Sequence, residues 1–140
     1  MIDASGMIVI GHGVDLTDVA RIERMLAEHG ARFCERVFTE TERLYADAGG
    51  RRRAERYAAR FAAKEAAFKA LGTGWRSGIA WTDAEVVHGA DGAPMLRVHG
   101  ALAQAAAERG VTLWRISLTH TDSLAMASAL AGRPAGTGAR

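Results

Sequence analysis

The order of its predicted elements places this chain of 140 residues in the α+β class, as an antiparallel sheet packed with a long central helix. Three observations support this prediction. Apolar residues recur with helical spacing over residues 19–71, and short β-rich segments dominate residues 79–131. A glycine-rich turn at residues 89–94 joins two of those segments as a hairpin.

The first half of the chain contains a short apolar strand at residues 7–10 and three helices. The strand ends in the loop Gly11-His12-Gly13. The first helix begins after Thr17 and is closed by Gly30, with a short helical piece after it. Capping-box spacing over Thr39-Glu40-Thr41-Glu42 starts the second helix. The third helix is the longest.

The second half alternates between strands and one short helix. The strands are expected at residues 79–88, 95–99, 111–119 and 124–131, and the helix at 101–108. The last residues carry Gly, Pro and Thr without periodicity. We therefore expect an N-terminal extension at 1–6, one domain at 7–131 and a disordered tail at 132–140.

Composition excludes several classes of protein. Hydrophobic residues make up 49% and charged residues 24%, as in an ordinary globular domain. No apolar run reaches the ~18 residues of a membrane span, and residues 1–6 lack the features of a signal peptide, so we expect a cytoplasmic protein without a membrane partner. A single cysteine, Cys34, excludes an internal disulfide and a cysteine-rich metal site.

The charge distribution leaves one rival function open. The net charge is only +2, but Arg51-Arg52-Arg53 followed by Arg56 and Arg60 forms a basic block. This block is either solvated or meets an acidic partner. A non-enzymatic nucleic-acid-binding domain would use the same block together with the tryptophans, but the sequence contains no recognised DNA or RNA motif, so we expect no nucleic-acid partner.

The third predicted helix, residues 54–71, is apolar on two opposite faces and must therefore pack on both. One face carries aromatic residues and Leu71, and the other carries alanines. The charged residues lie on the flanks in two pairs, Arg60 with Lys64 and Glu65 with Lys69. These pairs are either ordinary charges at a domain edge or, since Arg60 and Lys64 repel each other, part of a site for a bound polyphosphate.

A second carboxylate, Asp15, follows the glycine-rich segment Gly11-His12-Gly13. Alone, it would be interpreted as a turn or helix-cap aspartate. Together with Glu65, it matches the one or two protein oxygens that Mg²⁺ usually takes beside substrate phosphates and waters. The sequence has neither a Cys/His cluster suited to zinc nor a Walker-type loop.

Three blocks in this order resemble the small, trimeric holo-[acyl-carrier-protein] synthases of the phosphopantetheinyl transferases. They are Gly13-Val14-Asp15-Leu16 with Arg21-Ile22, Arg60-Phe61-Ala62-Ala63-Lys64-Glu65-Ala66-Ala67-Phe68-Lys69-Ala70 followed by Gly72-Thr73-Gly74, and Ser117-Leu118-Thr119-His120-Thr121. The resemblance implies transfer of 4′-phosphopantetheine from coenzyme A to a serine of an apo acyl carrier protein, in fatty-acid or polyketide synthesis. One departure is His12, where the family usually carries an aliphatic residue.

The resemblance also implies roles for individual residues. Asp15 and Glu65 would hold Mg²⁺, Lys69 would lie near the transferred phosphate, and Arg21 would bind the acidic carrier protein. The coenzyme A site would be formed by Arg60, Lys64, Gly72, Gly74, Pro94, His120 and Thr121. The general base stays open between Asp15, Glu65 and a metal-bound water.

The family's trimers have clefts between subunits, which would explain a helix that is apolar on both faces. A homotrimer is therefore expected. A third possibility is a degenerate subunit that binds carrier protein without catalysis, although the acidic pair and the cations are present in this chain.

Overall fold

The computed structural model describes residues 6–73 and 78–136. Its helices are α1 (Val19–Val37), α2 (Glu40–Asp47), α3 (Arg53–Leu71) and α4 (Gly100–Glu108), and its strands are β1 (Met7–Asp18), β2 (Ala84–His88), β3 (Pro94–Val98), β4 (Leu113–His120) and β5 (Leu124–Pro134). Among the described residues, no helix is long and apolar enough to cross a membrane.

A three-stranded antiparallel sheet in the order β1-β5-β4 packs against α3, and β2 and β3 form a separate antiparallel hairpin. The inward residues of β5 are alanines, which lie against the alanine face of α3 and are almost completely buried. The opposite, aromatic face of α3 packs on Trp81, which stacks on Phe61 at 5.0 Å between ring centroids. The α+β prediction with a long central helix is confirmed, and α3 is packed on both faces.

Glycines bring the backbone of β1 into contact with α3. A Cβ atom at Gly11 would lie 1.9 Å from the carbonyl oxygen of Ala70, and one at Gly13 would lie 2.0 Å from that of Ala66. Only glycine fits at such a close approach. The predicted loop at Gly11-His12-Gly13 is wrong, because β1 continues through these residues to Asp18 after a register shift between Val9 and Gly11.

The predicted helix boundaries are largely confirmed. Gly30, at φ 43 and ψ −120, interrupts α1 at the predicted place. The capping box joins Thr39 and Glu42 at the start of α2. The last helix turn of α3 is closed by Gly72 in the left-handed conformation, with φ 69.

Two boundaries in the second half differ from the prediction by three residues or more. β2 begins at Ala84 because a 3₁₀ turn, Trp81–Asp83, precedes it. β5 extends to Pro134 because its end pairs with the start of β1, Arg133 opposite Ile8. The boundary at 131 and the predicted disorder of residues 132–134 are therefore corrected. The expected extension at 1–5 and tail at 137–140 lie outside the described residues.

Candidate active site

Asp15 on β1 and Lys69 on α3 form an ion pair, with Nζ of Lys69 3.1 Å from Oδ1 of Asp15. Nζ also donates to the carbonyl oxygen of Val14 at 3.0 Å. The hydroxyl of Thr17 donates to Oδ2 of Asp15 at 2.8 Å. Alternation along β1 directs Asp15 and Thr17 toward the same side of the sheet, where α3 lies.

Glu65 lies one helical turn before Lys69 and belongs to the same group of charges. Burial, and second the negative charge of Asp15, raise the pKa of Glu65, while the positive charges of Lys69 and Arg21 act in the opposite direction. Each of these groups is therefore close enough to Glu65 to affect its ionisation. The structure brings Asp15, Glu65 and Lys69 together, as the sequence predicts.

The donor set fits a magnesium ion that is completed by a substrate. Burial and the charge of Asp15 disfavour the ionised form of Glu65, and a cation held between the two carboxylates would oppose that effect. No cluster of three or more His, Cys, Asp or Glu suited to a metal occurs among residues 6–73 and 78–136. Mg²⁺ does not need one, because it commonly takes one or two carboxylates together with phosphate oxygens and water.

A cavity of about 220 Å³ lies on the other flank of α3. Three residues predicted for the coenzyme A site line it: Arg60, Pro94 and His120. The rest of its lining is Tyr45, Arg52, Glu55, Arg56, Ala59, His88 and Leu118. The cavity therefore combines several positively charged side chains with an aromatic ring, a chemistry suited to an anionic nucleotide.

Arg60 is the most deeply buried cation of this cavity, with an exposed fraction of 4%. Its guanidinium lies 4.1 Å above the ring of Tyr45, and Nη2 lies 3.2 Å from Nε2 of His88. Its Nε is buried and has no hydrogen-bond partner within the described structure. Burial lowers the pKa of Arg60. A bound anion would supply both the missing acceptor and the missing charge.

Lys64 is not in this cavity, which corrects its predicted contact with coenzyme A. Its side chain is fully buried, and Nζ donates to Oε1 of Glu42 at 2.7 Å and to the carbonyl oxygens of Trp81 and Ala84. A lysine ammonium has three donors, and all three are used here. Lys64 lies on the aromatic face of α3, so its side chain enters the core. It does not reach the flank of the helix where Arg60 lines the cavity.

The remaining predicted residues have distinct positions. The hydroxyl of Thr121 accepts hydrogen bonds from the backbone N–H groups of Ser123 and Leu124, so it shapes the turn beyond His120 and lies outside the cavity lining. Gly72 closes α3, and Gly74 lies outside the described residues. Arg21 is exposed on α1, with its guanidinium 5.5 Å from the centroid of the Phe61 ring.

Sequence reasoning missed Arg56, His88 and Tyr45 in the cavity and Glu42 in the core. Two signals were available. Arg56 lies one helical turn before Arg60, and His88 pairs directly with Pro94 in the predicted hairpin. No comparable local signal marks Glu42, which reaches Lys64 from 22 positions away in the chain.

The two halves of the site share one helix. Arg60 and Glu65 are five residues apart, which corresponds to about 7.5 Å along the axis of an α-helix. The structure thus holds a cationic cavity and a carboxylate pair with a lysine on two flanks of the same helix.

Comparison with known proteins identifies the family of this chain. A sequence model of the 4′-phosphopantetheinyl transferase superfamily matches residues 11–128. A holo-[acyl-carrier-protein] synthase of Solibacter usitatus is 46% identical over 120 residues, which cover 86% of this chain and 95% of the relative. One from Desulforudis audaxviator is also 46% identical, over 91% of this chain and 95% of the relative.

Solved structures show the same fold. The crystal structure of the Neisseria meningitidis holo-[acyl-carrier-protein] synthase superposes with a TM-score of 0.80 at 31% identity, covering 89% of this chain and 98% of that one. The Bacillus anthracis synthase, solved in complex with CoA (3′,5′-ADP), gives a TM-score of 0.74 at 33% identity, over 91% and 99%. The chain therefore belongs to the 4′-phosphopantetheinyl transferase superfamily and, within it, to the holo-[acyl-carrier-protein] synthases.

Proposed function

We propose that this protein transfers 4′-phosphopantetheine from coenzyme A to a serine of apo acyl carrier protein, giving holo carrier protein and adenosine 3′,5′-bisphosphate. One observation carries the proposal: α3 places Arg60 in a cationic cavity and Glu65 beside Asp15 and Lys69, one group for each end of a diphosphate ester. The names of the relatives and the nucleotide bound in the Bacillus anthracis structure point to the same reaction.

The cavity would bind the adenosine 3′-phosphate end of coenzyme A. Arg60 brings a buried, partly unpaired guanidinium, and His120 and Arg56 add polar groups around the opening. Tyr45 contributes an aromatic surface, over which the guanidinium of Arg56 also lies, at 4.2 Å. Pro94 closes the side formed by the hairpin.

Asp15 and Glu65 would hold Mg²⁺ on the diphosphate of coenzyme A. When bound, the ion neutralises phosphate charge and polarises the phosphorus. Gly72 at the end of α3 is open to its surroundings, since a Cβ there would meet only the Arg109 side chain, at 3.3 Å. Gly72 and Gly74 belong to the proposed coenzyme A site by family resemblance.

In the proposed reaction, the serine oxygen forms a bond to the phosphorus that carries pantetheine, and the bond from that phosphorus to the bridging oxygen of the diphosphate breaks. Adenosine 3′,5′-bisphosphate leaves with the electron pair, and Lys69 stabilises the developing charge. The serine proton passes to a base. Asp15 and Glu65 are both candidates for this base.

An acidic carrier protein would dock on α1. Arg21 points from this helix toward the Glu65 side of the site. A second cavity near the Gly30 interruption is lined by Met25, His29, Arg32, Phe33 and Arg36, which combine apolar contact area with positive charge. Such a surface suits a partner whose binding face is acidic with apolar anchors.

A homotrimer is part of the proposal. The outward face of the sheet exposes large apolar side chains at Val14, Leu16 and Met126, with exposed fractions of 40%, 61% and 39%. An apolar face of this kind supports association with further copies of the chain. A cytoplasmic location and a role in fatty acid biosynthesis complete the proposal.

The test is to incubate the protein with coenzyme A, Mg²⁺ and purified apo carrier proteins from fatty-acid and polyketide systems, and then to measure intact mass. We expect the phosphopantetheine mass to appear on at least one carrier and to require a divalent cation. Absence of the mass on every carrier would contradict the proposal. Carrier binding without product would identify a degenerate subunit, and salt-dependent oligonucleotide binding without any response to coenzyme A would identify the nucleic-acid-binding alternative.

A further inference from the structure

Lys64 and Glu42 form a fully buried ion pair that the proposed reaction does not use. Both side chains have an exposed fraction of 0%. Burying two charges is costly, and such a pair is seldom the most stable solution for a core position. Lys64 lies one residue before Glu65 in the same helix. We therefore looked to the position of Glu65, and not to stability, for the role of this ion pair.

The pair joins α3 to three other segments. Nζ of Lys64 bonds to Glu42 on α2, to the carbonyl oxygen of Trp81 in the 3₁₀ turn, and to that of Ala84 at the start of β2. Glu42 in turn accepts from the backbone N–H of Val86 at 2.7 Å and from that of Thr39 at 2.9 Å. Directional hydrogen bonds therefore fix the aromatic face of α3.

On the side of α3 that faces β1, Lys69 donates to Asp15 and Val14, but 53% of the Lys69 side chain is exposed to solvent, whereas Lys64 is fully buried. There the helix backbone at Ala66 and Ala70 lies on Gly13 and Gly11, and alanine side chains pack on the alanines of β5. These small residues set the distance between helix and strand. The rotation of α3 decides where Glu65 lies relative to Asp15, since one residue corresponds to about 100° of turn.

We propose that Lys64 is a positioning residue, which sets the rotation of α3 through its three hydrogen bonds and so holds Glu65 opposite Asp15. The role rests on the proposed function in that Glu65 and Asp15 are taken as the Mg²⁺ ligands. Lys64 thus has a structural role in the site, in place of the predicted contact with coenzyme A.

The test uses a double variant, Lys64→Met with Glu42→Gln. The single variant Lys64→Met would leave Glu42 buried and unpaired and would unfold the protein for that reason alone. In the double variant both charges are absent, and the amide oxygen of Gln retains the capping-box hydrogen bond of α2, whereas the bond from the backbone N–H of Val86 is lost. Tyr57→Phe is the matched control, because Tyr57 is buried on the same helix and loses one hydrogen bond, to Asp47, without touching the three acceptors of Lys64.

Magnesium binding in the presence of coenzyme A, measured by titration calorimetry without carrier protein, is the first measurement. The double variant should fold and unfold cooperatively, yet bind Mg²⁺ at least about tenfold more weakly than the unaltered protein, as is typical when a supporting residue of a metal ligand is removed. Tyr57→Phe should bind Mg²⁺ normally. Unchanged affinity in the double variant, or an equal loss in Tyr57→Phe, would overturn the proposal.

A crystal structure of the double variant is the second measurement and does not depend on the metal. We expect Cα of Glu65 to move by about 1 Å relative to Asp15, a displacement large enough to affect catalysis. If the unaltered protein binds no Mg²⁺, the metal role in the proposed function fails, and this displacement alone decides the positioning role. An unmoved Glu65 would refute it.

Discussion

Lys69 and Asp15 connect the end of α3 to the first strand through a contact of 3.1 Å that is largely open to solvent on the lysine side, where the exposed fraction is 53%. An exposed ion pair contributes little to folding, typically about 0–1 kcal/mol. Both groups can therefore exchange partners when a phosphate arrives. The pair is better suited to the reaction than to stability.

Replacing Lys69 should separate activity from stability. We expect Lys69→Met to lower kcat by about 10²–10³, as when one stabilising donor is removed from a site of developing charge. The melting temperature should change little. Steady-state transfer assays and thermal unfolding would check this, with Arg97→Gln on β3 as the control. A variant that unfolds early but keeps its kcat would contradict the assignment.

Glu65→Gln should abolish turnover while the fold survives, because the substitution retains size and removes a charge that burial and Asp15 disfavour. Transfer assays and circular dichroism would report the two effects. Retained activity would remove Glu65 from the metal site.

The same variant gives a pH prediction. The folded protein raises the pKa of Glu65 above its usual 4.5, so it binds this proton more tightly than the unfolded chain. The stabilising contribution is present below the unfolded pKa and is lost as the pH rises through the folded pKa. The free energy of unfolding of Glu65→Gln, relative to the unaltered protein, should therefore increase between about pH 4 and neutrality. A pH-independent difference in denaturant titrations would argue against the environment described for Glu65.

Arg60→Gln should weaken coenzyme A binding by about tenfold or more, because a charge-assisted donor in a buried cavity is lost. The loss should be much smaller for 3′-dephospho-coenzyme A if Arg60 binds the 3′-phosphate. Calorimetric titration with both ligands would check it. Equal weakening for the two ligands would place Arg60 elsewhere on the nucleotide.

Gly13→Ala should destabilise the protein by about 1–3 kcal/mol, since the added Cβ overlaps the carbonyl oxygen of Ala66 and must push α3 from β1. Gly136→Ala is the control, because a Cβ there meets no atom within 4 Å. Denaturant unfolding of both variants gives the comparison. Similar denaturation midpoints for the two variants would show that β1 and α3 can move apart without loss of stability.

Met126→Glu should dissociate the proposed homotrimer, because it places a charge in the exposed apolar face of the sheet. Sedimentation equilibrium would show a shift toward monomer. Met95→Glu alters a methionine of similar exposure on the separate hairpin and should leave the assembly intact. Dissociation by both variants, or by neither, would place the subunit interface elsewhere.

Local features of the fold were predictable because they depend on neighbouring residues. The capping box of Thr39 and Glu42, the break at Gly30 and the end of α3 at Gly72 are each decided within one helical turn. The two opposite apolar faces of residues 54–71 also predicted a helix that packs on both faces, as the structure shows. Asp15 and Glu65 were paired through the chemistry of Mg²⁺ and family resemblance, and the structure brings them together.

The remaining features of the fold and of the candidate site depend on contacts between distant segments. The sequence by itself determined that α3 carries Lys64, Glu65 and Arg60 at fixed angles, since helix geometry is local. Only the tertiary structure decided that Lys64 meets Glu42 in the core while Arg60 opens into a cavity with His88. The physical reason is that the partners come from other segments. Helical periodicity can be predicted from neighbouring residues. Burial of a charge and its pairing with a distant segment cannot be predicted from the residues next to it in the sequence.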